Sequence, residues 1–346
     1  MTTLLLSGLA VTAAVCASLT AAVIPLLRRA RVVDVPGDRS LHRTPVPRGG
    51  GLAIVLAASL ATWTAVLAAV HLQGAVHAMS GVDVALMGLA TVLAFALLGL
   101  IEDLFSVSVR TRLVLQLVLG AGLGLVAHSA FEVSLWWTPA ICVGTAALVN
   151  ATNFMDGANG LACGHALLTS LWYVQVAAVA PVAGLGLVMV SVAGACLGFL
   201  PFNTPRAKVF LGDSGSYALG SAWAFAVTAC LSRGVAVEAA SAPVLVLLAD
   251  TGYTLWMRLR AGQCWYEPHR LHVYQRLVCA GWPHWASALL VTLAAAACSA
   301  LAAGSLLTSN RLWMPQLAMA AVLILYLKMP SIIGAPNPFP TLRRAR

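Results

Sequence analysis

The chain has 346 residues, 60% of them hydrophobic and only 9% charged, with a formal net charge of +9 and a mean hydropathy of +0.90. That composition excludes a soluble globular domain, whose surface needs more polar residues, and makes a bilayer the natural solvent. The positive charge does not signal nucleic acid either, because no basic helix is interleaved with aromatics; its distribution follows membrane topology.

Crossing about 30 Å of hydrocarbon takes about 20 apolar helical residues, since each segment must satisfy its own backbone polar groups. Eleven nearly uncharged runs of that kind are present, at roughly 2–27, 49–72, 83–101, 112–128, 135–150, 161–179, 182–200, 214–231, 240–258, 284–305 and 311–329. They predict an all-α integral membrane protein, a single polytopic domain over 1–330 with a short tail at 331–346. The first run is followed by Arg28, Arg29 and Arg31 and has no basic segment before it, the reverse of a cleaved secretory signal. It reads as a retained span with its N-terminus outside. Numbering the links alternately from there puts nearly all of the 20 Lys and Arg on the cytoplasmic side. Only Arg233 and Arg311 fall clearly opposite, a bias the positive-inside rule predicts, and the C-terminus is then cytoplasmic. The eight cysteines are scattered, mostly inside runs, with no CxxC pair, and read as small apolar packing residues.

The polar clusters all fall in the cytoplasmic links, while the outer links are short and nearly featureless. In the first cluster, 34–51, Arg39, His42, Arg43 and Arg48 can bind phosphate, and Pro45, Pro47 and Gly49 to Gly51 stiffen and then bend the chain. The competing reading lets half of these arginines only set topology. Where the third run leaves the membrane, Glu102 and Asp103 are adjacent carboxylates that repel unless a cation or proton sits between them. They point to a metal or phosphate site, or else to a solvated helix end neutralised by Arg110 and Arg112. In NATNFMDGANGLA, Asn150, Asn153, Asp156 and Asn159 recur every three residues. If the fifth run continues as a helix they form one polar stripe fit to hold a nucleotide sugar; a cap and turn is the plainer alternative.

In VFLGDSGSYALG, Gly212 and Gly215 bracket Asp213 at the start of the eighth run, where free backbone N–H groups favour phosphate and Asp213 would meet Mg²⁺. An ordinary Asp-Ser-Gly turn is the alternative, and Phe210 is placed either to stack on a base or to pack. Asp250 lies inside the ninth run, where an unpaired carboxylate is expensive, so it reads as functional or as a hydrogen-bond partner for another helix. Last come His269, Arg270 and His272 in PHRLHVYQRL, which offer a guanidinium fork and imidazole donors for phosphate, against an ordinary basic surface loop. Neither HExxH nor CxxC spacing is present there, so zinc is not expected. His71, His77, His128, His165 and His284 carry no assigned role.

Assembled, these residues resemble the polyprenyl-phosphate N-acetylhexosamine-1-phosphate transferases, a superfamily whose bacterial members begin lipid-linked O-antigen, teichoic acid and peptidoglycan intermediates. Five motifs match in order over about residues 30–330: D-x-P-x-x-R-S-x-H followed by PRGGG, the acidic pair, NxxNxxDGxNGLA, FLGDSGS and HRxHxYQRL. The resemblance implies a Mg²⁺-dependent cytoplasmic site, with Mn²⁺ as a substitute, in a bacterial inner-membrane enzyme. It makes Asp213 the magnesium aspartate with Asp103 as a further ligand, Glu102, Asp103, Asp156 and Asp213 the catalytic acids, and Asn150, Asn153 and Asn159 part of the nucleotide-sugar motif. Arg43, Arg48, Phe210, Asp250, His269, Arg270 and His272 would contact substrate. Two departures stand out, Glu102 where Asp is usual and Asn159 where some branches carry Asp. HRLHVYQRL looks more like the O-antigen-initiating branch than the peptidoglycan branch.

The expected reaction is attack by the phosphate of undecaprenyl phosphate on the β-phosphorus of a UDP-N-acetylhexosamine, expelling UMP, with Glu102 or Asp103 taking the acceptor's remaining proton; a homodimer is compatible with it. The rival, a transporter or flippase of lipid-linked sugars, would need polar residues deep in several runs.

Overall fold

The computed structural model describes residues 2–37, 41–42, 44–73, 75–105, 107–180, 182–267, 269–306, 313–336 and 338, with backbone alone at 2–4, 72–73 and 75–80. Every predicted apolar run contains a helix. In chain order these are α1 (Thr2–Arg29), α2 (Gly51–Gln73), α3 (Ala75–Phe105), α4 (Val109–Phe131), α5 (Thr138–Phe154), α6 (Leu161–Val179), α7 (Leu185–Asn203), α8 (Gly212–Ser232), a short α9 (Val237–Ser241), α10 (Leu245–Arg260), α11 (Val273–Cys279), α12 (His284–Ala302) and α13 (Met314–Ile332). Among the described residues eight helices, α1 to α4, α6, α7, α12 and α13, are long and apolar enough to cross a membrane. The chain is therefore an all-α, multi-pass membrane protein.

The helices of the other three runs fall short for physical reasons. α5 has 17 residues and ends in Asn150, Thr152 and Asn153, while α8 opens with Asp213, Ser214 and Ser216. α8 is screened by its neighbours: it is buried along nearly its whole length, lying along α3 and α5 with α2 against its flank. Small residues permit this approach. A Cβ on Gly51 would stand 2.3 Å from the Gly215 Cα, and one on Gly99 2.2 Å from the Asp213 carbonyl oxygen. The ends of α2, α3 and α5 thus converge on the first turn of α8.

The ninth run, 240–258, is not one continuous α-helix. Pro243 cannot continue a helical ladder, and the chain passes from α9 through a 3-10 turn (Ala242–Val244) into α10. Irregular backbone at membrane depth is tolerated only where protein satisfies it. Here α6 supplies the donors: Trp172 Nε1 to Ala239 O at 2.9 Å, Tyr173 OH to Ala240 O at 2.8 Å and His165 Nε2 to Pro243 O at 2.7 Å. His165, given no role above, fastens the break that aims α10.

A two-stranded antiparallel ribbon, β1 (Val33–Asp34) and β2 (Val46–Pro47), stands beside the α8 entrance, with Val33 opposite Pro47. The chain after β2 is sewn to the segment before α8 by Phe210 N to Pro47 O (2.8 Å), Gly50 N to Phe210 O (2.9 Å) and Gly51 N to Leu211 O (2.7 Å). Of the predicted tail, 331–332 complete α13, and most of the rest lies outside the described residues, as do Arg39, Arg43 and Arg311.

Candidate active site

The ribbon, the end of α5 with the loop after it, the start of α8 and α11 enclose a cavity of about 350 Å³. Of the predicted site residues, Arg48, Asn153, Asp156, Asn159, Phe210 and Asp213 line it. Asp213 is held from two sides, its Oδ2 accepting from Arg48 Nη2 at 2.6 Å and its Oδ1 from Asn153 Nδ2 at 2.7 Å. Asn153 also donates to Ser216 Oγ at 3.0 Å, which ties α5 to α8 across the site.

The four-residue polar stripe does not exist as a continuous helix face. α5 stops at Phe154, and Gly157 and Gly160 turn the chain so that Asp156 and Asn159 enter the cavity from a loop. A Cβ on Gly157 would meet the Tyr274 hydroxyl at 2.2 Å, and that hydroxyl donates to Phe154 O at 2.9 Å, so α11 fixes the turn. Gly160 N donates to Asn203 Oδ1 (2.7 Å), and Asn159 Nδ2 to Pro205 O (3.2 Å). Asn150 stays behind on α5, bonded to Gln116 of α4 and to Ala146 O, and among the described residues it does not line the cavity.

The adjacent acids separate rather than act as a pair. Glu102 takes Arg112 at 3.2 Å. Asp103, with a side chain only 3% exposed, accepts from Arg48 Nε and from Asp213 N on one oxygen (2.9 and 3.0 Å) and from Ser214 N on the other (2.9 Å). This corrects one expectation. The Asp213 and Ser214 N–H groups at the head of α8 are not free for phosphate, because a side-chain carboxylate already caps them. Through these bonds Asp103 clamps the α8 entrance.

Asp250 and His272 are not among the described residues that line the cavity. Asp250 is fully buried and accepts from His272 Nδ1 (3.0 Å), Val273 N (3.1 Å), Tyr326 OH (2.7 Å) and Thr254 Oγ1 (3.2 Å), binding α10, α11 and α13 together. Its place inside an apolar helix is stabilised by these four donors. His272 is 3% exposed, with Nδ1 as its proton-bearing nitrogen toward Asp250. His269 lies near it, its ring tilted by 42° at 4.9 Å between centroids, and burial, helped by His272, pushes its pKa down to about 3. Among the described residues neither it nor Arg270 lines the cavity, and Arg43 lies outside those residues.

His42, a candidate above, lines it too, and the structure adds Asp34, Asn203, Tyr274, Gln275 and His284. His42 meets Phe210 edge-on at 4.9 Å, and His284 Nδ1 accepts from Asn159 N at 3.3 Å. Asp34, Tyr274 and Gln275 sat inside clusters already noted, but His284 is a lone histidine at a run's start, and no spacing signals its partner.

A divalent cation fits this donor set. Asp213 and Asp156 present hard carboxylate oxygens to the cavity, and among the described residues none donates a hydrogen bond to the Asp156 carboxylate. Burial first, then the Asp213 charge, holds the Asp156 pKa well above the usual carboxylate range, Arg48 pulling it down. A cation between the two acids would relieve that cost.

The chain matches the glycosyl transferase family 4 model over residues 85–231, from α3 through α8. It is 31% identical over 307 residues to a decaprenyl-phosphate N-acetylglucosaminephosphotransferase of Mycobacterium leprae, covering 78% of this chain and 75% of that protein. A phospho-N-acetylmuramoyl-pentapeptide-transferase of Desulforudis audaxviator is 30% identical over 297 residues, covering 75% and 85% of the two chains. A probable undecaprenyl-phosphate N-acetylglucosaminyl 1-phosphate transferase of Bacillus subtilis is 27% identical over 290 residues, covering 78% and 77%. With a convergent acid, amide and guanidinium site at one mouth of its bundle and relatives along three quarters of its length, the chain belongs to the polyprenyl-phosphate N-acetylhexosamine-1-phosphate transferase superfamily of glycosyl transferase family 4.

Proposed function

We propose that this protein transfers an N-acetylhexosamine 1-phosphate from a UDP-sugar to undecaprenyl phosphate, releasing UMP and forming the first lipid-linked sugar diphosphate of a cell-surface polysaccharide. The observation that carries the reading is the meeting of Asp213, Asp156, Asn153 and Arg48 around one cavity with Phe210 on its wall. N-Acetylglucosamine is the donor sugar to test first, because relatives on both sides of the mycobacterial and Bacillus divide are named for it.

Asp213 and Asp156 would hold Mg²⁺, which when bound supplies charge neutralisation for a diphosphate. Asn153 holds the Asp213 carboxylate in place, and Phe210 with His42 offers an aromatic surface for a base. A phosphate monoester with a second pKa of about 6 is mostly dianionic at neutral pH, so the reaction asks the chain for positioning more than for a general base. That removes the need for Glu102 or Asp103 to accept a proton, and both are already engaged by cations. Because the sugar–oxygen bond stays intact, the anomeric configuration is retained. The basic residues support eleven crossings with the cavity on the cytoplasmic face of a bacterial inner membrane.

The test incubates purified protein with undecaprenyl phosphate, Mg²⁺ and labelled UDP-N-acetylhexosamines, following UMP release and passage of label into organic solvent. UMP and labelled lipid in equal amounts, lost with EDTA and in Asp213→Asn, are expected. Normal turnover by folded Asp213→Asn removes that aspartate from the reaction; no product with any donor turns the reading toward transport.

A further inference from the structure

Arg48 holds the carboxylate that would ligate a metal ion, Asp213. Its Nη2 is 2.6 Å from Asp213 Oδ2, and its Nε is 2.9 Å from Asp103 Oδ1. The other Asp213 oxygen takes Asn153, so both oxygens of the aspartate best placed to ligate a cation are occupied by protein donors. The backbone of Arg48 is fixed, with its N–H on Val32 O at 3.1 Å and Phe210 bridged beside it. Its side chain is 38% exposed and borders the cavity, whereas Asp103 behind it is sealed at 3%. What can move at this point is the guanidinium.

A guanidinium and a divalent cation on Asp213 Oδ2 repel each other and crowd the same oxygen, so each weakens the other's hold on it. Yet a diphosphate entering the cavity offers the guanidinium a better partner, since its planar fork matches phosphate oxygens. We propose that Arg48 is a resident counter-cation that competes with divalent metal for Asp213, and that a diphosphate draws it away, so metal and nucleotide sugar bind cooperatively. This rests on the transferase reading of the cavity. It makes metal binding weak in the absence of donor, and it gives Arg48 two successive partners, a carboxylate at rest and a phosphate in the loaded site. A fixed clamp, which would hold β2 against α8 in both states, is the contrary case.

Mn²⁺ binding to the purified protein, read by electron paramagnetic resonance with and without UDP-N-acetylglucosamine, separates the two. Arg48→Gln is expected to bind Mn²⁺ alone about tenfold more tightly than the parent, the worth of one charge-assisted hydrogen bond. Arg48→Lys, which cannot bridge both carboxylates, falls between them. The nucleotide sugar should tighten Mn²⁺ binding severalfold in the parent and little in Arg48→Gln. Unchanged or weaker Mn²⁺ binding in either folded variant overturns the exchange. If adding Asp213→Asn to Arg48→Gln leaves Mn²⁺ binding intact, the metal is not on Asp213 and the exchange fails with it. Lipid product from the parent combined with unchanged Mn²⁺ affinity in the variants defeats the exchange alone; the expected affinity pattern without any lipid product leaves it standing and defeats the transferase reading.

Discussion

Asp156 faces the cavity with a carboxylate that burial and the Asp213 charge disfavour in its ionised form. A carboxyl whose folded-state pKa is raised contributes its stability at pH below its unfolded value and loses it as pH rises through the folded value. In the metal-free protein, then, the raised Asp156 pKa weakens the fold at pH 7 and does so much less near pH 4. Asp156→Asn should raise the thermal midpoint of the detergent-solubilised, metal-free protein by a few degrees at pH 7, with the gain shrinking on acidification, and should abolish turnover. Equal midpoints at pH 7 would show that the site is not strained. Asp250 makes the opposite case. Truncation to Ala strands Tyr326 OH, His272 Nδ1 and Val273 N without their acceptor, which costs about 3 kcal/mol or more. Thermal unfolding should register that loss; a variant inactive at unchanged stability would place Asp250 in the substrate-contacting set. A carboxylate in an apolar run looks the same in both roles, because the partners that decide between them arrive from residues 272, 273 and 326, far along the chain.

At the scale of elements, helix existence was legible because run length and apolarity are local properties. Packing was not. Nothing in GDSGSYALGSAW announces that α8 is enclosed by α2, α3 and α5, although its small residues permit it. Likewise Asn150, Asn153, Asp156 and Asn159 shared a period of three, but Gly157 and Gly160 end the helix that the period assumed. Pro243 marked the break before α10 in plain view, while the α6 side chains that make the break tolerable lie some 70 residues earlier, as in the 67-residue separation of Trp172 from Ala239. The glycine contacts give this packing a test. Gly99→Ala places a Cβ 2.2 Å from the Asp213 carbonyl, a backbone atom that yields only if α3 and α8 part. A cost of about 1–3 kcal/mol and a displaced Asp213 follow, so stability and turnover should fall together. Gly122→Ala in α4, where a Cβ meets nothing within 4 Å, is the control and should be neutral or slightly stabilising, as expected for Gly to Ala inside a helix. Similar losses in both variants would mean that helix propensity, not close approach, governs these positions.

For the whole molecule the open question is sidedness, which charge distribution argues and which the native cysteines can measure. Cys264, between α10 and α11, and Cys279, the last residue of α11, are exposed on the same side as the cavity, whereas Cys16, Cys163, Cys196, Cys230 and Cys298 are buried among the helices. At the opposite end, the turn Leu135–Trp137 carries Trp136 at 91% exposure, the kind of aromatic that settles at a membrane interface. Ser134 beside it is exposed and offers a place for an outer marker. A membrane-impermeant maleimide applied to intact spheroplasts should therefore spare Cys264 and Cys279 and label an introduced Ser134→Cys, and permeabilisation should expose the native pair. Labelling of the native pair without permeabilisation would put the cavity outside, where neither a UDP-sugar nor cytosolic Mg²⁺ is at hand. The reaction and the orientation thus stand on one another: the donor's location demands an inward-facing Asp213, and the arginines after α1, α3 and α10 are the feature of the chain that would enforce it.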